Sequence, residues 1–235
     1  MSEKVSDMAY TGVIISCMKL PVGKTFSIAD DNRPVKDCTV SNNVHAGENA
    51  ITVFSMAKNT DISAEIFPYY KFIIVNCGRL EIYGTEDIEG LKLSAGESCL
   101  TPIDTPVGFR AAEDTVFVEI EIRRNDKMNE AIKPGEVFSL AEKLPYADGR
   151  IVNMDVVHND KMKFALMAFD AGEALSEHSA PGEALIFALD GEGEVGYEGK
   201  THAIKAGENF HFAKNGKHWV KATTKFKMAL LLTLD

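Results

Sequence analysis

Residues 172–191 read GEALSEHSAPGEALIFALDG. A polar segment that contains His178 leads into the turn-forming pair Pro181-Gly182, and an apolar run of strand length follows. This run ends at Asp190-Gly191, a second pair that favours a turn. Short runs bounded by such pairs are typical of β-strands joined by tight turns. The stretch therefore predicts two strands on either side of a turn.

The same pattern extends along the rest of the chain. Residues 115–122 alternate β-branched, aromatic and acidic side chains with a period of two, which is the period of a β-strand. Glycine-containing turn signals recur in the second half at intervals near 8–12 residues, and helix signals are limited to single turns at 26–31 and 138–143. These features predict an all-β sandwich or barrel architecture with little helix.

The chain also repeats itself, with offsets of 111 to 113 residues between the two copies. Four anchors occur in the same order: Phe26 and Phe138, Val44-His45 and Val157-His158, Gly78 and Gly191, and Ala95-Gly96-Glu97 and Ala206-Gly207-Glu208. Constant spacing of this kind indicates an internal duplication. The predicted layout is an N-terminal extension over 1–19, a first barrel over 20–122, a polar linker over 123–134 and a second barrel over 135–235.

Composition excludes several classes of function. The 235 residues carry 25 Lys and Arg against 35 Asp and Glu, which gives a formal net charge of −10. Because this charge repels phosphate backbones and anionic lipid, we expect neither a nucleic-acid nor a membrane partner. We also expect no signal peptide, no membrane-spanning segment and a cytoplasmic location, since no long apolar run or basic leader is found. The four cysteines form no Cys-x-x-Cys pair, which argues against a zinc ribbon.

Three polar side chains of the second copy are candidates for a metal site. His178 would end one strand, Glu183 would open the next, and His218 would reach the same barrel mouth from a third. Two imidazoles and one carboxylate form a facial set with open positions, suited to Fe(II), Mn(II), Ni(II) or Zn(II). The alternative is a polar barrel mouth in which these groups bond to each other and to water.

Two further residues are candidates for a ligand pocket. Phe187 lies four residues after Glu183 and would share its face on a regular strand, although an apolar strand residue is more often plain core. His211 lies between Phe210 and Phe212 and would point to the face opposite both. A surface or inter-sheet position is the simpler interpretation of His211, but it could also replace a ligand missing elsewhere.

These residues resemble the cupin superfamily of small β-barrels, whose first motif runs Gly-x5-His-x-His-x(3–4)-Glu-x6-Gly. Gly172, His178, Glu183 and Gly191 fall on this motif to within a residue of spacing, while Gly207 and His218 fall on the second motif. The resemblance implies two tandem jelly-roll-like barrels of the double-stranded β-helix type, that is, a bicupin. The second copy is similar to a group of small bacterial single-domain cupins. Ala180 stands where the first motif has its second histidine.

The first copy departs further from the cupin pattern. The positions that correspond to His178, Glu183 and His218 are Glu65, Tyr70 and Val107, so no histidine is retained there. We therefore interpret the first barrel as metal-free. Because single-domain cupins commonly pair through their sheets, the resemblance also implies that the two barrels pack as a pseudo-dimer, and a homodimer of the whole chain is possible.

The sequence leaves two functions open. The first is a metal-dependent enzyme that acts on a small molecule in the second barrel, with His178, Glu183 and His218 as ligands and the catalytic residues unknown. The second is a non-catalytic binding or sensor protein that holds a sugar or an organic acid without a bound metal. A fold alone does not distinguish them, since one fold hosts many functions.

Overall fold

The computed structural model describes residues 14–17, 19–84, 88 and 90–234, so most of the predicted N-terminal extension lies outside the described residues. The first part of the chain forms β1 (Ile14–Cys17), β2 (Thr25–Phe26), α1 (Ile28–Asp31), β3 (Thr39–His45), β4 (Ile51–Met56), β5 (Asp61–Ile66), β6 (Tyr70–Cys77), β7 (Arg79–Tyr83), β8 (Leu91–Ser94), β9 (Glu97–Leu100), β10 (Pro106–Ala111) and β11 (Thr115–Ile122).

The second part repeats this succession of short strands. It forms β12 (Lys127–Met128), β13 (Val137–Ser139), β14 (Ile151–His158), β15 (Met162–Phe169), β16 (Ala174–Ser179), β17 (Glu183–Asp190), β18 (Glu192–Tyr197), β19 (Lys200–Lys205), β20 (Asn209–Phe212), β21 (Lys217–Ala222) and β22 (Phe226–Thr233). Within the described ranges, no helix is long and apolar enough to cross a membrane.

Among the residues that the structure describes, helix is confined to one turn. Ser27 caps α1, because its side-chain oxygen accepts a hydrogen bond from the Asp30 backbone N–H at 3.2 Å. The second predicted turn, at 138–143, contains two turn hydrogen bonds, from Glu142 N to Ser139 O and from Lys143 N to Leu140 O. The prediction of an all-β fold with little helix is thus confirmed.

Each half of the molecule contains one seven-stranded and one four-stranded sheet. The orders are β1-β3-β4-β11-β6-β9-β13 and β5-β10-β7-β8 in the first half, and β12-β14-β15-β22-β17-β20-β2 and β16-β21-β18-β19 in the second. Between the two sheets of each half lies a hydrophobic core. The first-barrel core includes Ile73, Leu80, Phe109 and Phe117, and the second-barrel core includes Ile186, Phe210, Phe212 and Phe226.

The two halves exchange strands. β2 pairs with β20 of the second half through Thr25 and Phe26, whereas β13 pairs with β9 of the first half. The Asn209 side chain secures the first exchange, since its Oδ1 accepts from Ile28 N at 3.0 Å and its Nδ2 donates to Ile186 O at 3.2 Å. Thus β2, from the first half of the chain, extends a sheet of the second half, and β13, from the second half, extends a sheet of the first.

A third hydrophobic core joins the halves. This shared core contains residues of both seven-stranded sheets, among them Phe72, Val118, Phe164 and Leu185. Successive side chains of a strand point to opposite faces of its sheet. The central strands of each seven-stranded sheet are therefore buried on both faces, one against their own barrel and the other against the shared core.

Candidate metal and ligand site of the second barrel

His178 and His218 come together at one end of the second barrel. They are directly paired residues of the antiparallel strands β16 and β21, so their side chains lie on the same face of the four-stranded sheet. Their ring centroids are 4.3 Å apart and their planes are inclined by 57°. His218 is buried, with 6% of its surface exposed, whereas His178 is exposed.

The backbone fixes the orientation of both imidazoles. Nδ1 of His178 lies 2.8 Å from Ser176 O, and Nδ1 of His218 lies 2.9 Å from Gly216 O. A carbonyl oxygen can only accept, so each Nδ1 carries a proton, and the neutral form of such a ring presents a lone pair at Nε2. Histidines that bind metals are typically oriented in this way by a hydrogen bond from the second ring nitrogen.

Burial favours the neutral form of His218. Loss of solvation lowers the pKa of its imidazole, the nearby His178 lowers it further, and the Gly216 carbonyl opposes both effects. Phe212 of the second-barrel core stacks on the His218 ring at 4.1 Å and 24°. His218 is thus an acceptor at its Nε2 atom, held between an aromatic face and a second imidazole.

Glu183 lies away from the two histidines. On β17, Ala184 and Ile186 belong to the second-barrel core, whereas Leu185 belongs to the shared core. By alternation, Glu183 shares the face of Leu185 and is directed away from the barrel interior. Its side chain is 57% exposed, and its Oε2 lies 3.5 Å from Nε2 of His211. Within the described part of the chain, no three His, Cys, Asp or Glu side chains are grouped so that they could hold a metal ion.

A one-residue difference in spacing explains this outcome. The motif allows three or four residues between its second histidine and its glutamate, which from position 180 leads to Ala184 or Leu185. Of these two residues, Ala184 faces the second-barrel core. Since a slip of one residue moves a side chain to the other face of a strand, the nearby Glu183 does not substitute for a glutamate at position 184.

His211 and Phe187 lie on that same outer face of the second barrel. His211 is buried beside Glu183, and its Nδ1 has no hydrogen-bond partner among the described residues. Phe187 belongs to the shared core and lines a cavity of about 170 Å³ between the halves, together with Asn76 and Asn209. The structure brings neither residue to the His178–His218 pair.

Phe212 was not among the predicted site residues. The signal was present, because placing His211 opposite Phe210 and Phe212 already assigns both phenylalanines to a common face. In the first half, Glu65 and Val107 are paired between β5 and β10 in the same way as His178 and His218. The first barrel thus has no imidazole at these two paired positions.

Two comparisons with known proteins agree with this architecture. The Cupin domain family matches residues 165–234, which contain His178, Glu183 and His218. Among solved structures, the chain is similar to a Cupin 2 conserved barrel domain protein from Leptotrichia buccalis, with 27% identity and a TM-score of 0.79 over 91% of this chain and 98% of that chain. No curated protein matches the chain.

A more distant likeness concerns the fold alone. Salicylate 1,2-dioxygenase from Pseudaminobacter salicylatoxidans is 11% identical, with a TM-score of 0.57 over 79% of this chain and 71% of that chain. The paired jelly-roll sheets define a β-barrel protein of the cupin type, with two imidazoles at one end of the second barrel. The Cupin domain match over residues 165–234 and the structural likeness over most of the chain show a cupin-type fold.

Proposed function

We propose that this cupin binds, without a resident metal, a small and mainly apolar molecule that carries a hydroxyl or N–H donor. The observation that carries the proposal is Ala184, which faces the second-barrel core where the cupin motif has a glutamate. Ala180 stands in place of the second motif histidine. The residues present thus supply two imidazoles and do not fit the facial three-donor set that the sequence predicts.

The residues of the site have separate roles in such binding. The Gly216 carbonyl holds the His218 proton on Nδ1, so Nε2 accepts a hydrogen bond from the ligand. The exposed His178 offers a second acceptor at the entrance. Phe212 forms the apolar wall behind His218, and Tyr197 packs against it with ring centroids 5.7 Å apart. A ligand with one polar donor and an apolar body matches this combination.

Fluorescence of Trp219, the single tryptophan of the chain and the neighbour of His218, provides the test. Phenols, alcohols and N–H heterocycles would be titrated in the presence of a chelator, and at least one class is expected to give a saturable change. Replacement of His218 by alanine should weaken that binding about 10-fold, the value of one lost hydrogen bond. His158→Ala, on β14, is the matched control and should have no effect.

The proposal fails if no compound binds while the chelator is present, or if binding appears only after a divalent metal is added. The second outcome would favour the other candidate function, a divalent-metal centre with Fe, Mn, Ni or Zn. The observation in favour of that candidate is the Nδ1–carbonyl hydrogen bond of both His178 and His218. With two protein donors, the remaining positions of the ion would belong to water and to the small molecule.

The effect of position 184 on metal affinity can be measured directly. Ala184→Glu would add a carboxylate on the face of β17 that is directed into the second barrel, towards the sheet that carries His178 and His218, and we expect it to raise the affinity for Zn(II) or Ni(II) at least about 100-fold. Elemental analysis after dialysis, and calorimetric titration, would measure the gain. A long side chain has precedent at this position, since the corresponding residue of the first barrel is Lys71.

Glu183→Gln is the matched control for this prediction. Because Glu183 lies on the outer face beside His211, its replacement should leave the metal affinity of the wild type unchanged within about twofold. A loss of metal binding in Glu183→Gln, or the absence of any gain in Ala184→Glu, would contradict the assignment of faces on β17.

A further inference from the structure

The first barrel contains a buried ion pair that nothing in the second-barrel site uses. Lys71 Nζ lies 3.2 Å from Glu119 Oε2, and the two side chains are 9% and 8% exposed. Lys71 alternates with Phe72 of the shared core, and Glu119 alternates with Val118 of the same core. Both charged side chains therefore point into the first barrel, at the end from which β6 begins.

Further polar groups continue this pair outward. Glu121, on the same face of β11 as Glu119, forms an ion pair with Arg123 at 3.1 Å. Burial raises the pKa of the Tyr69 hydroxyl, and the charges of Glu121 and Glu119 and a hydrogen bond to Glu121 raise it further. The mouth of the first barrel thus combines two ion pairs, whose formal charges cancel, with a phenol.

The fold does not require these charges. In the first barrel, strand pairing places Lys71 opposite Glu121 and Ile73 opposite Glu119. In the second barrel, the equivalent pairs are Ala184 with Leu232 and Ile186 with Leu230. The residues that correspond to Lys71 and Glu119 are thus Ala184 and Leu230. Replacing a buried ion pair by packed apolar side chains is often neutral or stabilising. The pair is therefore a feature that packing alone does not explain.

The pair retains unused hydrogen-bonding capacity beneath aromatic rings. An ammonium group has three N–H donors, and Glu119 is the one hydrogen-bond acceptor of Lys71 Nζ among the described residues. The Phe67 ring centroid lies 3.9 Å from Nζ and that of Phe109 lies 5.4 Å from it. A hydroxyl group matches this arrangement, because it accepts from an ammonium and donates to a carboxylate at once.

We propose that the mouth of the first barrel is a binding site for a neutral polyhydroxylated molecule, a sugar or a polyol. Lys71 donates a hydrogen bond to a hydroxyl oxygen, the same hydroxyl donates one to the free carboxylate oxygen of Glu119, and the Phe67 ring packs on the C–H face of the ligand. Because the charges of the two ion pairs cancel, no unpaired cation is present among them to attract an organic acid, and a neutral ligand is favoured. This site is separate from the His178–His218 pair and does not depend on the function proposed for it.

Calorimetric titration of the full chain with glucose, inositol and mannitol tests the proposal. The concentrations must stay below those at which excluded osmolytes stabilise proteins in general. Saturable binding of at least one compound is expected, and glucuronate, citrate and glycine should bind at least about 10-fold more weakly because of their charges. His218→Ala should bind the sugar as the wild type does, since it alters only the other barrel.

The decisive variant carries Lys71→Ala and Glu119→Leu, the side chains found at the corresponding positions of the second barrel. It is expected to melt at or above the temperature of the wild type and to lose sugar binding. Phe67→Ala, which leaves the ion pair in place, should weaken binding several-fold. The proposal is overturned if no neutral compound binds, if binding persists in the double variant, if charged compounds bind more tightly, or if the double variant is less stable than the wild type.

Discussion

Replacement of Phe72 by alanine is expected to lower the free energy of unfolding by about 3–5 kcal/mol. Phe72 is fully buried in the shared core. Its ring meets Phe138 of the exchanged strand β13 at 5.9 Å and Phe164 of β15 at 5.2 Å, both in edge-to-face geometry. The substitution removes these contacts and leaves a cavity where both halves meet. Urea unfolding monitored by circular dichroism would measure the loss.

Phe109→Ala is the matched control for the Phe72 variant. Phe109 is equally buried, but it belongs to the first-barrel core. Its replacement should lower stability by a similar amount, about 3–5 kcal/mol, while the two halves still unfold in one transition. Phe72→Ala is expected to separate that transition into two, because it weakens the contact between halves. A loss below about 1 kcal/mol for Phe72→Ala would contradict a close-packed shared core.

The strand exchange, together with the shared core, makes the stability of each half depend on the other. β2 and α1 pack on the second half through Asn209, and β13 packs on the first half beside Phe72. Each half therefore depends on a segment that the other supplies. The predicted domains over 20–122 and 135–235 remain a prediction, but cutting the chain between them would remove one strand from each seven-stranded sheet.

The sequence predicted the all-β fold because its local signals agree with one another. The period of two in residues 115–122 and the turn pairs near Gly191 each reflect short-range backbone chemistry. The strand exchange could not be predicted in the same way. The two copies have similar sheet edges, so a local pattern does not tell which edge β2 or β13 will extend.

The candidate site shows the same limit at the level of single residues. His178 and His218 were expected to lie close together, and their ring centroids are 4.3 Å apart. This expectation required only that the correct two strands pair, since the residues are direct cross-strand partners. The direction of the Glu183 side chain depends on its exact position along β17, because successive residues point to opposite faces. An uncertainty of one residue in the motif spacing is enough to exchange the two faces. Phe187 was likewise placed with Glu183, and both lie on the outer face of β17.

The buried charges of the first barrel were not identified at all. Alternation in residues 115–122 predicts a strand, but it does not tell which face meets the barrel. Both faces of β11 are buried, one in the shared core through Val118 and one in the first barrel through Phe117. Glu119 is therefore enclosed, although an acidic residue in an alternating strand more often faces water.

Replacement of Lys71 alone by alanine is expected to lower the free energy of unfolding by about 3–5 kcal/mol near neutral pH. Burial already raises the pKa of Glu119, and Lys71 opposes that rise. Without the ammonium group, the carboxylate loses its counter-charge and its hydrogen bond, and its pKa in the folded protein rises further. Urea unfolding of the wild type and the variant at about pH 5 and about pH 8 would measure the effect and its pH dependence.

The direction of the pH dependence follows from the raised pKa of Glu119. A carboxyl group whose folded-state pKa lies above its unfolded value contributes stability that is complete below the unfolded value and is lost as pH rises through the folded value. The deficit of Lys71→Ala should therefore be smallest in acid and grow towards alkaline pH. Lys163→Ala, which breaks the exposed pair with Asp155, should cost about 0–1 kcal/mol. An equal deficit for Lys71→Ala at both pH values would show that Glu119 does not titrate as a buried carboxyl group, and an effect no larger than that of Lys163→Ala would show that the pair is solvated.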